Sequence, residues 1–292
     1  MATLVFDPTH RLRQVAWIGL FVALFLLGRM LYAPLVHVLR QAGVPAAALE
    51  PVRLVLVLLA TWTCTRLRGE PLASIGLRPG RRWLAEFVAG GLLGMLMMTA
   101  IVGLIVLAGG VRLQLEPARD AAILGHGAYL FLCVALYEEI LFRGFLFQRL
   151  VDGAGVWIAQ LTLAALFAFG HWGNPGMHGG SEWIASLDLA LGAILLGLAW
   201  LRTRSLALPV GLHFGWNWMQ GHVLGFGVSG FDYRGWFHPV FTGQPSWLTG
   251  GEFGPESSVV AMGVELLAIG LLGSWKGRPA APASPSGASP PP

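Results

Sequence analysis

Residues 137–144 read Tyr-Glu-Glu-Ile-Leu-Phe-Arg-Gly, inside an apolar run from about His126 to Phe147. An ionisable side chain at membrane depth costs about 2.5–3.5 kcal/mol on insertion scales. Glu138, Glu139 and Arg143 together are therefore tolerable only where partners inside a helical bundle satisfy them. The rest of the chain supplies such a bundle. It is 55% hydrophobic and only 12% charged, where a soluble domain carries roughly 25% charge.

Working outward, eight apolar stretches are separated by turn-forming clusters. They run about Val15 to Val38, Leu49 to Thr65, Trp83 to Leu107, His126 to Phe147, Val156 to His171, Glu182 to Trp200, Leu206 to Gln220 and Ser258 to Trp275. Gly173-Asn174-Pro175-Gly176 ends the fifth. The fifth and seventh are short against the roughly 20 residues a crossing helix needs, which suits burial in a bundle better than contact with lipid. The expected fold is an all-α membrane protein, a polytopic helical bundle of about eight transmembrane helices. Residues 1–14 form a cytoplasmic N-terminal segment and 15–125 carry the first three helices. Residues 126–275 carry the other five, and the Pro/Ala/Ser-rich tail 276–292 is expected to be disordered. Segments 109–125 and 221–257 read as loops.

Charge placement orients the bundle. With the N-terminus in the cytoplasm, Arg66, Arg68, Arg78, Arg81, Arg82, Arg149, Arg202, Arg204 and Lys276 gather on that side, as the positive-inside rule requires. Both termini are then cytoplasmic, and a bacterial inner membrane is the expected location. The net charge of +4 follows from this topology and gives no nucleic-acid footprint, because the arginines sit in short turns rather than along one face. Cys64 and Cys133 lie in apolar stretches, which disfavours a disulfide framework or a Cys-based metal site.

Helical spacing sorts the intramembrane polar residues. Glu139 and Arg143, four apart, share a face and compensate each other. Glu138 points about 100° away and is left to face a cavity. Phe167 and His171 share a face, as do His213 and Asn217, the latter flanked by Gly211 and Gly215, which admit a close helix approach. One carboxylate and two histidines from three stretches have the chemistry of a water-activating site. Glu138 serves as general base. Two imidazoles and a carboxylate can hold Zn²⁺ with a position open for water. His and Asn can instead donate to a developing oxyanion.

The set Glu138-Glu139-x-x-x-Arg143, Phe167-x-x-x-His171 and His213-x-x-x-Asn217 resembles the CPBP family of intramembrane proteases, which includes the type II CAAX prenyl proteases and bacteriocin-processing and immunity-type bacterial relatives. The likeness is firm over about residues 125–220. It implies an endopeptidase acting on a membrane-embedded or membrane-associated peptide in the lipid bilayer. Glu138 resembles the glutamate that activates water, Glu139 and Arg143 the supporting pair, and His171 the histidine sharing that water or a metal. His213 and Asn217 resemble the pair that polarises the scissile carbonyl or completes the metal shell. The metal set the resemblance implies is Glu138, His171 and His213; a metal-free, glutamate-activated water is argued for the same family. Asp188 departs from the neutral amide expected near this point in bacterial relatives. Counting about 1.5 Å per residue, Glu138 and His213 stand roughly 13–17 Å above the cytoplasmic side and His171 about 24 Å, a gap that tilt or irregular helix geometry must close.

Other protease chemistries fit less well. Gly227-Val228-Ser229-Gly230 matches a rhomboid serine motif on paper but lies in a loop with no apolar helix behind it. Asp188 has no second aspartate for an aspartyl dyad, and no His-Glu-x-x-His occurs. The rival from another class is a transporter or proton relay using Glu138, His171, Asp188 and His213.

Overall fold

The computed structural model describes residues 11–178 and 181–277. The expected N-terminal segment up to residue 10 and the tail from residue 278 lie outside the described residues. Each apolar stretch becomes a helix. In order these are α1 (Arg11–Gln41), the short α2 (Ala46–Leu49), α3 (Val52–Leu67), α4 (Arg81–Leu107), α5 (Ala121–Arg143), α6 (Phe145–Ala154), α7 (Val156–Gly170), α8 (Ser181–Thr203), α9 (Ala207–Trp218), the short α10 (Ser246–Thr249) and α11 (Val259–Ser274).

Among the described residues, four helical segments are long and apolar enough to cross a membrane: Gln14–Gln41, Ala46–Leu67, Arg81–Leu107 and Glu182–Thr203. Helices α7 and α11 are apolar but shorter, while α5 carries the charges and α9 has 12 residues. The protein is thus an all-α membrane protein in its main body. Its outer surface fits lipid: Leu92, Leu96, Leu107, Trp157, Leu161, Leu267 and Leu271 are all exposed.

Two expectations need correction. The fourth stretch does not run unbroken to Phe147. Helix α5 ends at Arg143, Gly144 turns the chain (φ −75°, ψ −125°), and α6 begins at Phe145. A Cβ at Gly144 would collide with the carbonyl oxygen of Ile140, so the turn depends on glycine. The reorientation buries Phe145, Leu146 and Phe147 against α1 and its neighbours. Second, the two segments read as loops hold strands β1 (Val111–Leu115) and β2 (Phe237–Phe241). They pair antiparallel, with Val111 opposite Phe241 and Leu115 opposite Phe237. Thr242 closes the ribbon by donating from Oγ1 to the carbonyls of Gly109 and Gly110.

The closest helix pairing positions the seventh stretch. Helix α9 lies on α4 with glycines meeting backbone from both sides. A Cβ on Gly90 would strike the carbonyl of Leu208, and one on Gly94 that of Leu212. A Cβ on Gly211 would strike the carbonyl of Phe87, and one on Gly215 that of Gly91. Small residues at this spacing let two helix backbones approach without intervening side chains. Pro209 stands in the first turn of α9, where its missing N–H has no intrahelical partner to lose. The packing fixes the height and rotation of His213, which lies between Gly211 and Gly215.

This yields a direct expectation. Gly215→Ala forces α4 and α9 apart and destabilises the fold by about 1–3 kcal/mol, the usual cost of overpacking. The matched control Gly263→Ala, whose new methyl meets nothing within 4 Å, leaves thermal melting in detergent unchanged or raises it. Equal melting of the two variants would contradict the close packing.

Candidate active site

The site is built around Glu139, which is fully buried. One turn later, Arg143 donates from Nη1 to Glu139 Oε1 at 3.1 Å. Its Nη2 donates to the carbonyl of Ala193 on α8 at 3.0 Å, so the arginine also ties α5 to α8. The guanidinium carbon stands 5.3 Å from the Phe167 ring and 5.7 Å from the Phe142 ring. The helical i, i+4 pair read from the sequence therefore forms, with a third anchor.

Helix α9 brings His213 to the same carboxylate. His213 Nδ1 lies 2.8 Å from Glu139 Oε1. A carboxylate accepts, so Nδ1 carries the proton. The other ring nitrogen, Nε2, faces Glu138 Oε2 at 3.7 Å. That separation is too long for a direct hydrogen bond. His213 thus stands between the two adjacent glutamates, one per nitrogen. Glu139 is spent on Arg143 and His213, while the Glu138 side chain keeps 18% exposure. The Glu139–Arg143 pair expected from the spacing is formed.

Asn217 follows His213 by one turn and is 7% exposed. Its side-chain amide makes no hydrogen bond among the described residues, so its donors remain available beside the cleft.

His171 caps the C-terminus of α7. Its Nδ1 donates to the Phe167 carbonyl at 2.7 Å, which leaves Nε2 as the free nitrogen. Its connection to the other groups runs through the Phe167 ring, 4.7 Å from the His171 ring and 6.5 Å from the His213 ring by centroid. The height gap expected between His171 and the other two is thus spanned by an aromatic wedge rather than closed by contact.

Among the described residues, no group of three His, Cys, Asp or Glu side chains is arranged to hold a metal ion. With the Phe167 ring set between His171 and His213, the set Glu138, His171 and His213 does not converge as a metal centre requires.

Asp188 lies elsewhere. It is buried on α8 beside Glu265 of α11. Its electrostatic neighbours are Glu265 and Glu256, not Glu138 or His213, so it does not extend the Glu138–His213 pair into a relay.

Sequence reasoning passed over two acids. Glu265 is an ionisable residue in the middle of the last apolar stretch, which by itself was a signal. Glu256 lies just before it and clamps the far wall. It accepts from Trp216 Nε1 of α9 at 3.3 Å and from the backbone N–H and hydroxyl of Ser229. The Ser229 carbonyl in turn accepts from Asn174 at 2.8 Å, joining this wall to the turn after His171. The serine of the rhomboid-like match therefore works in loop structure, with its hydroxyl directed at a carboxylate.

Compared with protein-family models, residues 120–219 match the one described as Rce1-like, type II CAAX prenyl endopeptidase. The match contains Glu138, Glu139, Arg143, His171, His213 and Asn217. Neither the curated proteins nor the solved structures gave a match.

Proposed function

We propose, from the premise that this chain belongs over residues 120–219 to the CPBP family of CAAX-type proteases, that it is an intramembrane endopeptidase in which Glu138 activates the attacking water. One observation carries the reading. Two adjacent glutamates divide one histidine between them, with Glu139 at 2.8 Å on Nδ1 and Glu138 at 3.7 Å from Nε2.

In this mechanism a water binds beside the pair, within reach of Glu138 Oε2 and His213 Nε2. Glu138 takes a proton from it as the oxygen attacks the scissile carbonyl carbon. The carbonyl oxygen gains negative charge and accepts from His213 Nε2–H of the doubly protonated ring and from the Asn217 amide, a preorganised pair of donors. Glu139 holds Nδ1–H and so fixes the ring plane. Glu138 then passes its proton to the leaving amide nitrogen as the C–N bond breaks. His171 packs on the Phe167 ring that stands beside His213 and acts as a positioning residue. Arg143 acts through Glu139 and is a positioning residue.

The substrate is a peptide in or beside the membrane. We infer that the eight apolar stretches are embedded in it, and that both termini face the cytoplasm.

The test uses the full-length protein in nanodiscs, a random peptide library and mass spectrometry of the products. Cleavage at a defined subset of bonds is the expected result. No cleavage, together with proton-coupled uptake lost in Glu138→Gln, would replace hydrolysis with transport. A parallel digest after chelator treatment reads metal dependence, and the expectation is an unchanged rate.

A further inference from the structure

Buried acids also collect away from the six site residues. Asp188 of α8 and Glu265 of α11 are 2% and 3% exposed, inside the sixth and last apolar stretches. They stand side by side where α11 packs on α8. Gly192, one turn after Asp188, leaves the recess that receives the second carboxyl: a Cβ there would stand 2.9 Å from Glu265 Oε1. The outer oxygens, Asp188 Oδ1 and Glu265 Oε2, are buried and have no hydrogen-bond partner among the described residues. The charged neighbours of the pair are one another and Glu256, just before α11. The ionisable groups on the surrounding elements are engaged elsewhere. His213 of α9 faces Glu139 and Glu138, Arg143 of α5 pairs with Glu139, and Glu86 of α4 pairs with Arg82. His171, after α7, lies in electrostatic range of Glu256. Arg202 joins the C-terminal ends of α8 and α11 by donating to the carbonyls of Leu272 and Gly273. Two adjacent carboxylates in a dry interior cannot both keep their charge, and acids inside a membrane span mark a functional site by default.

We propose that Asp188 and Glu265 form a proton-binding site, in which one proton held between the two carboxyls latches α8 to α11. The protonated carboxyl donates its O–H to the other, which keeps a single negative charge. Such charge-assisted bonds are short and roughly twice as strong as neutral ones. Transfer of that proton to hydroxide leaves two anions at the Gly192 recess, which drives the helices apart. The location gives the latch its target. Gly192 directly precedes Ala193, whose carbonyl accepts from Arg143 Nη2 at 3.0 Å. The turn of α8 that receives Glu265 is therefore the turn that anchors the arginine beneath Glu139. Glu256, the third acid, accepts at 3.3 Å from Nε1 of Trp216, which directly precedes Asn217 in α9. Loss of the proton at alkaline pH thus loosens both supports of the site. A sodium ion is the competing occupant. A hard cation takes about six oxygen ligands, and among the described residues no third carboxylate or imidazole converges on the pair.

The test needs no substrate, so it stands apart from the protease reading. Infrared spectra of the full-length protein in micelles at neutral pH are expected to show a protonated-carboxyl C=O band that is lost in Asp188→Asn and in Glu265→Gln. Equilibrium unfolding by SDS reads the linkage to folding. Above about pH 5 an unfolded chain has released this proton. The folded pair keeps it, so stability falls as pH rises and levels off once the folded pair also lets go. Asp188→Asn puts an amide donor in place of the proton and has none to lose there. The folded-to-unfolded ratio of the unsubstituted protein, divided by that of Asp188→Asn, is therefore expected to fall by up to about tenfold per pH unit, the slope of one proton. Glu265→Gln makes the same pairing from the other side and gives the same trend, so either variant that folds serves for the comparison. Stability curves that run parallel across pH, or a carboxyl band that neither substitution removes, overturn the proposal. Stabilisation by sodium over choline at fixed pH, lost in Glu265→Gln, makes the pair a metal-cation site and also overturns it. Peptide hydrolysis is scored separately. Proton-linked stability without cleavage leaves the latch standing and removes the protease reading.

Discussion

Glu138→Gln is expected to lower kcat for peptide hydrolysis by about 10²–10⁴-fold, the usual contribution of a positioned general base, or roughly 3–5 kcal/mol at 1.36 kcal/mol per decade. The replacement has nearly the same shape but cannot take a proton from water. Glu138 makes no ion pair other than the 3.7 Å approach to His213 and keeps 18% side-chain exposure. Stability should then change little, within the range of ordinary surface substitutions of about 0.5 kcal/mol. The combination of lost rate and preserved melting is the signature. Loss of both would place Glu138 in the scaffold instead.

Arg143→Met is expected to show the opposite balance, with a large loss of stability. Arg143 and Glu139 are 2% and 0% exposed. Removing one partner of a buried pair costs about 3–5 kcal/mol because it strands the other charge. The Ala193 carbonyl also loses its donor, which loosens α5 from α8. The double variant Glu139→Gln with Arg143→Met removes both charges and should regain most of the stability, since a neutral replacement of a buried pair is often close to neutral. Its activity should stay low, because His213 Nδ1 no longer faces a carboxylate. The coupling is read from thermal melts of the two single variants and the double. Additive melting shifts would contradict the pairing.

Local relations were legible in the sequence and tertiary ones were not. Glu139 and Arg143 are one turn apart on one helix, so spacing alone joined them. Gly211 and Gly215 announced a close helix approach, although only the fold shows that Gly90, Gly91 and Gly94 of α4 lie on the other side. Orienting Glu138 away from its neighbour followed from the 100° step. That His213 would touch both glutamates did not, because it depends on how α9 rotates against α4 and α5. Phe167 was read as a face partner of His171. Its place between the two histidine rings depends on the angle of α7. The ribbon of Val111–Leu115 with Phe237–Phe241 joins segments that are distant in sequence and lie in stretches rich in turn formers, so neither strand stood out. Gly144 reads as one more glycine in an apolar run until its backbone is seen against Ile140. Glu256 and Glu265 were visible as intramembrane or near-membrane acids, yet their partners Trp216, Ser229 and Asp188 come from three different elements.

The central claim is that Glu138 activates the water that breaks the peptide bond. Its most direct measurement is product formation from one peptide library by three preparations with matched melting: the unsubstituted protein, Ser229→Ala and Glu138→Gln. The same cleaved bonds are expected from the first two, at a rate about 10²-fold or more lower from the third. Cleavage of those bonds by Glu138→Gln at the unsubstituted rate would contradict it.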